Sequence, residues 1–72
     1  MAGEFPRRLQ KLRERNKKTQ QVVGDFCGVS RSMISVYESG EVEPTASVLK
    51  KLARYFGVSS DYLLGLTEEE NF

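Results

Sequence analysis

The chain has no histidine and no tryptophan, a single cysteine, two prolines and no apolar run approaching the roughly 18 residues of a membrane span. Each absence removes a class of function. With no histidine and no second thiol, neither a structural metal nor an internal disulfide can hold the fold. No nucleophile stands beside a base and there is no glycine-rich phosphate cradle. The chain is therefore expected to be no enzyme and to carry no cofactor. The N-terminus lacks the hydrophobic block of a signal peptide, so a soluble, cytoplasmic protein without a membrane partner is expected.

Seventy-two residues make one small domain. A core of that size stabilises a fold only marginally unless self-association helps. The net charge of +1 conceals an uneven distribution. Arg7, Arg8, Lys11, Arg13, Arg15, Lys17 and Lys18 crowd the start against only Glu4 and Glu14, and the remainder is net acidic.

No segment alternates apolar and polar residues over a strand's length, whereas apolar residues recur at helical spacing throughout. The chain is predicted to be all-α, with five helices. Phe5, Leu9 and Leu12 share a face of the first, which Pro6 can open because its missing N–H is not needed there. Thr19 caps a second helix with Val23 and Cys27 inward, ended by Gly28. Ser30 caps a third with Ile34 and Tyr37 inward, ended by Gly40. The fourth, after Thr45, turns Leu49, Leu52, Ala53 and Phe56 to the core. A short fifth, capped by Ser59 or Ser60, contains Tyr62, Leu63 and Leu64. Residues 1 to 66 are predicted to form the domain, and residues 67 to 72, "TEEENF", a frayed acidic tail.

Two short helices joined by about three residues containing glycine describe a helix-turn-helix. "TQQVVGDFCGVSRSMISVYESG" fits that description. Gly24 stands where the second helix must pass close to the third, and Val29, Ile34 and Tyr37 can seal the third to the core. Arg31, Ser32, Met33, Ser35 and Val36 are left near its outer surface. Arginine can donate two hydrogen bonds to guanine, serine can read donors or acceptors, and Met33 and Val36 can meet a thymine methyl.

These segments, with "LRERN", the proline before the fourth helix and "LARYFGVSSDYLLGLT", resemble the lambda repressor and Cro family of DNA-binding domains, the XRE type. The resemblance covers about residues 5 to 66. It implies a compact five-helix fold and a repressor that binds a palindromic operator in double-stranded DNA as a homodimer. By position it implies base contacts from Arg31, Ser32, Met33 and Val36, and phosphate contacts from Gln20, Arg13 and Ser39; Ser35 on the same outer surface is expected to add a base contact, and Thr19 and Lys18 beside Gln20 phosphate contacts. It also implies an Arg13–Glu38 ion pair tying the first helix to the end of the third. Val58, Tyr62 and Leu66 are the expected dimer contacts.

The chain departs from the family pattern in three places. Glu41 and Glu43 stand in a loop where relatives often place cations, Lys17 and Lys18 replace a common Gly-Leu pair, and Val22 and Phe26 are apolar where solvated side chains are usual. Val22 and Phe26 either pack against the first helix or expose a patch for a protein partner such as an antirepressor or a toxin. The latter would suit an adaptor or antitoxin-like module on the same fold. Cys27 reads as a buried hydrophobe, with a redox sensor as the alternative.

Overall fold

The computed structural model describes residues 3–71 and contains five α-helices: α1 Phe5–Arg15, α2 Gln20–Cys27, α3 Arg31–Ser39, α4 Ala46–Phe56 and α5 Ser60–Leu64. The helices begin and end where local chemistry dictates. Thr19, Ser30, Thr45 and Ser59 each accept a hydrogen bond from the backbone N–H three residues on, satisfying one of the orphan donors of a first turn. Gly28 and Gly40 stop α2 and α3 at φ 75° and 83°, a region costly for any residue with a Cβ. None of the helices is long and apolar enough to cross a membrane.

The core is a single cluster to which every helix contributes. Leu9, Leu12, Val23, Cys27, Ile34, Leu52 and Leu63 are almost fully withdrawn from solvent, and the rings of Phe5 and Tyr37 meet edge to face at 6.1 Å, joining α1 to α3. On α4 the inner face is rotated from its expected position. Val48, Leu52 and Ala53 are buried, while Leu49 and Phe56 are half-buried at the margin. Val58 lies in this core at 8% exposure, so it seals α4 to α5 and is not available as a dimer contact.

Gly24 passes the turn between α2 and α3 more tightly than expected. A Cβ there would lie 2.7 Å from the Val29 carbonyl oxygen, so even a methyl group collides, and the obstacle is the turn's backbone and not the third helix. The last residues also differ from the frayed tail. Arg8, only 4% exposed, donates to the carbonyls of Tyr62 (2.6 Å) and Thr67 (2.7 Å), pairs with Glu68 (3.1 Å) and lies 4.2 Å from the centre of the Tyr62 ring. Arg15 holds Glu70 through two bonds, and the Glu70 carbonyl accepts from the Ser59 N–H. Residues 67–70 are thus strapped to α1 by interactions between positions more than fifty residues apart, which no local pattern signals, and to the start of α5 through Ser59. Phe72 lies outside the described residues, as do Met1 and Ala2.

Lys17, in the turn after α1, is the one non-glycine residue with positive φ among the described residues (57°). An L side chain in that region costs about 1 to 2 kcal/mol. Lys17→Gly should therefore raise the unfolding free energy by about 1 kcal/mol, and Gly24→Ala should lower it by about 1 to 3 kcal/mol through overpacking despite alanine's better helix propensity. Urea unfolding of the two variants checks both signs.

Candidate nucleic-acid interface

α3 is capped by Ser30, whose Oγ accepts from the Met33 N–H at 3.0 Å and so fixes the first turn. From there the sequence sets an outer stripe. At 100° per residue Arg31, Ser32, Ser35, Val36 and Ser39 fall within about 140° of one another, and all are exposed except half-buried Val36. The stripe offers a guanidinium, hydroxyls and one aliphatic surface without a carboxylate among them. Met33 departs from the expected set: it is half-buried against the core, so packing accounts for most of it. Ser39 already donates its hydroxyl proton to the Val36 carbonyl at 2.8 Å and accepts from the Glu41 N–H.

The start of α2 lies beside this stripe because of one carboxylate. Glu38, near the end of α3, accepts from Arg13 Nε (2.6 Å) and Nη2 (3.1 Å) and from Gln20 Nε2 (3.1 Å). The Arg13 side chain is 14% exposed and that of Glu38 6%. The bond to Glu38 raises the Arg13 pKa, so the guanidinium stays charged. Arg13 also donates to the Lys18 carbonyl at 3.0 Å, fixing the turn that carries Lys17 and Lys18. The expected Arg13–Glu38 pair is therefore present. What the sequence did not reveal is that Gln20 joins it, since glutamine on a helix start carries no signal of its partner. Thr19 accepts from the Val22 N–H, which leaves its hydroxyl proton available.

The first-helix cations are not a free basic patch. Arg7 pairs with Glu4, Arg8 with Glu68, Arg13 with Glu38 and Arg15 with Glu70. Lys11, Lys17 and Lys18 remain exposed to solvent. The expected dimer residues separate: Val58 is buried, Tyr62 is half-buried beneath Arg8, and Leu66 stands out at 72% exposure. Leu66 instead lines an open apolar groove with Phe5, Pro6, Val42, Pro44 and Leu64. Sequence spacing could not find this groove because it joins the start of α1, the loop before α4 and the end of α5.

Val22 and Phe26 are not buried beneath α1. Both are about half exposed, and the Phe26 ring lies against Tyr55 of α4 at 4.7 Å. Cys27 is buried, and burial pushes its thiol pKa up against a weaker opposite pull from Lys51, which leaves it a neutral core hydrophobe.

Residues 9–63 match the family described as helix-turn-helix. The chain is 42% identical over 60 residues to the SPbeta prophage-derived uncharacterized HTH-type transcriptional regulator YonR of Bacillus subtilis (strain 168), covering 83% of this chain and 56% of that protein. It is 36% identical over 65 residues to YobD, an uncharacterized HTH-type transcriptional regulator of the same organism, covering 90% and 58%. The chain thus spans a little over half the length of these relatives. Its fold also matches the P22 c2 repressor protein, solved in complex with synthetic operator 9T, with a TM-score of 0.81 at 35% identity over 83% of this chain and 91% of that one.

Removing one charged partner of the Glu38 network leaves the other, with little access to water, without its counter-charge. Arg13→Met and Glu38→Leu should each cost about 3 kcal/mol in urea unfolding, and the double variant much less than their sum. Additive losses would show that the two side chains are not energetically coupled.

Proposed function

Because the chain belongs to the helix-turn-helix family, we propose that it is a sequence-specific, DNA-binding transcriptional regulator that acts in the cytoplasm as a repressor, occupying a palindromic operator as a homodimer. The observation that carries this reading is the exposed stripe on α3, aligned with the start of α2 by the Glu38 network. The likeness to a repressor solved on its operator supports it.

In this reading Arg31 enters the major groove first and pairs with guanine O6 and N7, while Ser32 and Ser35 read neighbouring edges and Val36, with the exposed part of Met33, meets a thymine methyl. Gln20 keeps one amide hydrogen on Glu38 and gives the other to a phosphate, joined by the unpaired amides of the first turn of α2. Thr19 and Lys18 donate to the same strand, Arg13 adds its charge behind them, and Ser39 reaches phosphate by exchanging its bond to Val36.

Of the expected dimer residues the reading keeps Leu66 and extends to the apolar groove that it lines. Val42, Leu64 and Leu66 are three of the five large hydrophobic side chains exposed among the described residues, and the groove collects them. The molecule is 28 Å in its longest dimension, so two copies side by side suit half-sites about 34 Å apart.

Two measurements test the proposal. Arg31→Ala should lose about 1 to 3 kcal/mol on the preferred duplex and relax the choice of base at one position per half-site, whereas Gln20→Ala should weaken good and poor sites alike. Affinities over a panel of single-base operator variants separate them; a uniform loss for Arg31→Ala would make it a phosphate contact. Leu66→Glu should turn the dimer to a monomer in sedimentation without reducing helicity, and an unchanged mass would remove the groove from the interface.

A further inference from the structure

Phe26 keeps 50% of its surface in water and Val22, one turn earlier, 44%. The ring is nevertheless held. It lies tilted on Tyr55 at 4.7 Å, and Tyr55 meets Phe56 edge to face at 5.0 Å. α2 and α4 therefore display an ordered aromatic ledge that stays half exposed among the described residues.

A row of cations leads around α4 away from the ledge, with Lys51 nearest to it. Around α4, Lys51 lies about 40° from Tyr55, with Arg54 and Lys50 successively beyond it, and these three line one shallow depression. Lys51 is partly accounted for by its place beside the C-terminal end of α2, where a Cβ on Gly28 would lie 4.0 Å from its Nζ and the helix carbonyls gather negative charge. Lys50 and Arg54 have no carboxylate partner among the described residues, in contrast to Arg7, Arg8, Arg13 and Arg15 on α1. The acidic residue on the neighbouring helix, Asp25, accepts from Gln21 instead.

We propose that this face docks an acidic, apolar segment of another protein, which lays aliphatic or aromatic side chains on Val22, Phe26 and Tyr55 and points carboxylates at Lys50, Lys51 and Arg54. Charge complementarity fixes the sign of the partner, and the ledge fixes its apolar half, since aromatic residues and arginine dominate the energetic centres of protein interfaces. A DNA strand answers only the cations. Phe26 is also about 9 Å along α2 and about 120° around it from Gln20, away from the stripe assigned to the duplex.

The test is selection from a random peptide library displayed on phage against the full 72-residue chain. Enriched peptides should combine Asp or Glu with Leu, Phe or Trp. They should bind Phe26→Ser, and separately the Lys50→Glu/Arg54→Glu double variant, at least tenfold more weakly. Replacing their acidic residues by lysine should restore binding to the double variant. These side chains lie at or near the surface, so circular dichroism at room temperature should show the same helicity even where the loss of the Phe26–Tyr55 contact or of the Arg54 charge lowers the melting temperature, and binding to random duplex DNA should be unchanged for Phe26→Ser. No enrichment, or peptides indifferent to both variants, overturns the proposal. So does a tenfold loss of duplex binding in the double variant, which gives the cations to DNA, or a loss of self-association in Phe26→Ser, which gives the ledge to a second copy.

Discussion

The carboxylate of Glu38 is the point on which three helices agree. It accepts two hydrogen bonds from Arg13 of α1 and one from Gln20 of α2 while standing near the end of α3. Apolar packing of Val23, Ile34 and Tyr37 brings the helices together but permits small rotations and slides. Hydrogen-bonded charge with little access to water does not, because a displaced partner would be left unsolvated. The register between α2 and α3, and with it the alignment of the first amides of α2 with the outer stripe of α3, follows from that one group. Arg13 carries the constraint one step further by holding the Lys18 carbonyl, so the turn before α2 moves with the network.

Much of this fold was legible because its signals are local. A serine or threonine three residues before a donor, a glycine past the last apolar position and a recurrence of three or four residues placed α2 and α3 within a residue of where they lie. The Arg13–Glu38 pair was legible only through the family resemblance, since nothing about two charges twenty-five positions apart marks them as neighbours. The strap formed by Arg8, Arg15, Glu68 and Glu70 was legible by neither route. Its partners are distant in sequence, and an acidic run at the end of a chain reads as solvated until the basic helix beneath it is in place. Val58 misled for a related reason: apolar residues near a chain's end look spare when the core cannot be counted.

The same strap changes what the net charge means. Seven basic residues near the start of the chain suggest a cationic surface, yet four arginines there are engaged by carboxylates within the molecule. What remains outward on α3 is Arg31 and a row of hydroxyls. Such a surface is suited to discriminate by geometry more than to attract by field, since long-range attraction scales with unneutralised charge and is screened within about 10 Å at 0.1 M salt.

Lys17 extends these relations from structure to lifetime. Its left-handed backbone keeps the domain below the stability its own fold would allow. In a cell, a difference of about 1 to 2 kcal/mol alters abundance several-fold, because proteases take the fraction that is open. A domain held lower in stability is cleared sooner after its synthesis stops, so its concentration follows its production more closely. The backbone angle at one exposed lysine thereby acts on how long each copy of the domain survives, without altering the exposed stripe of α3.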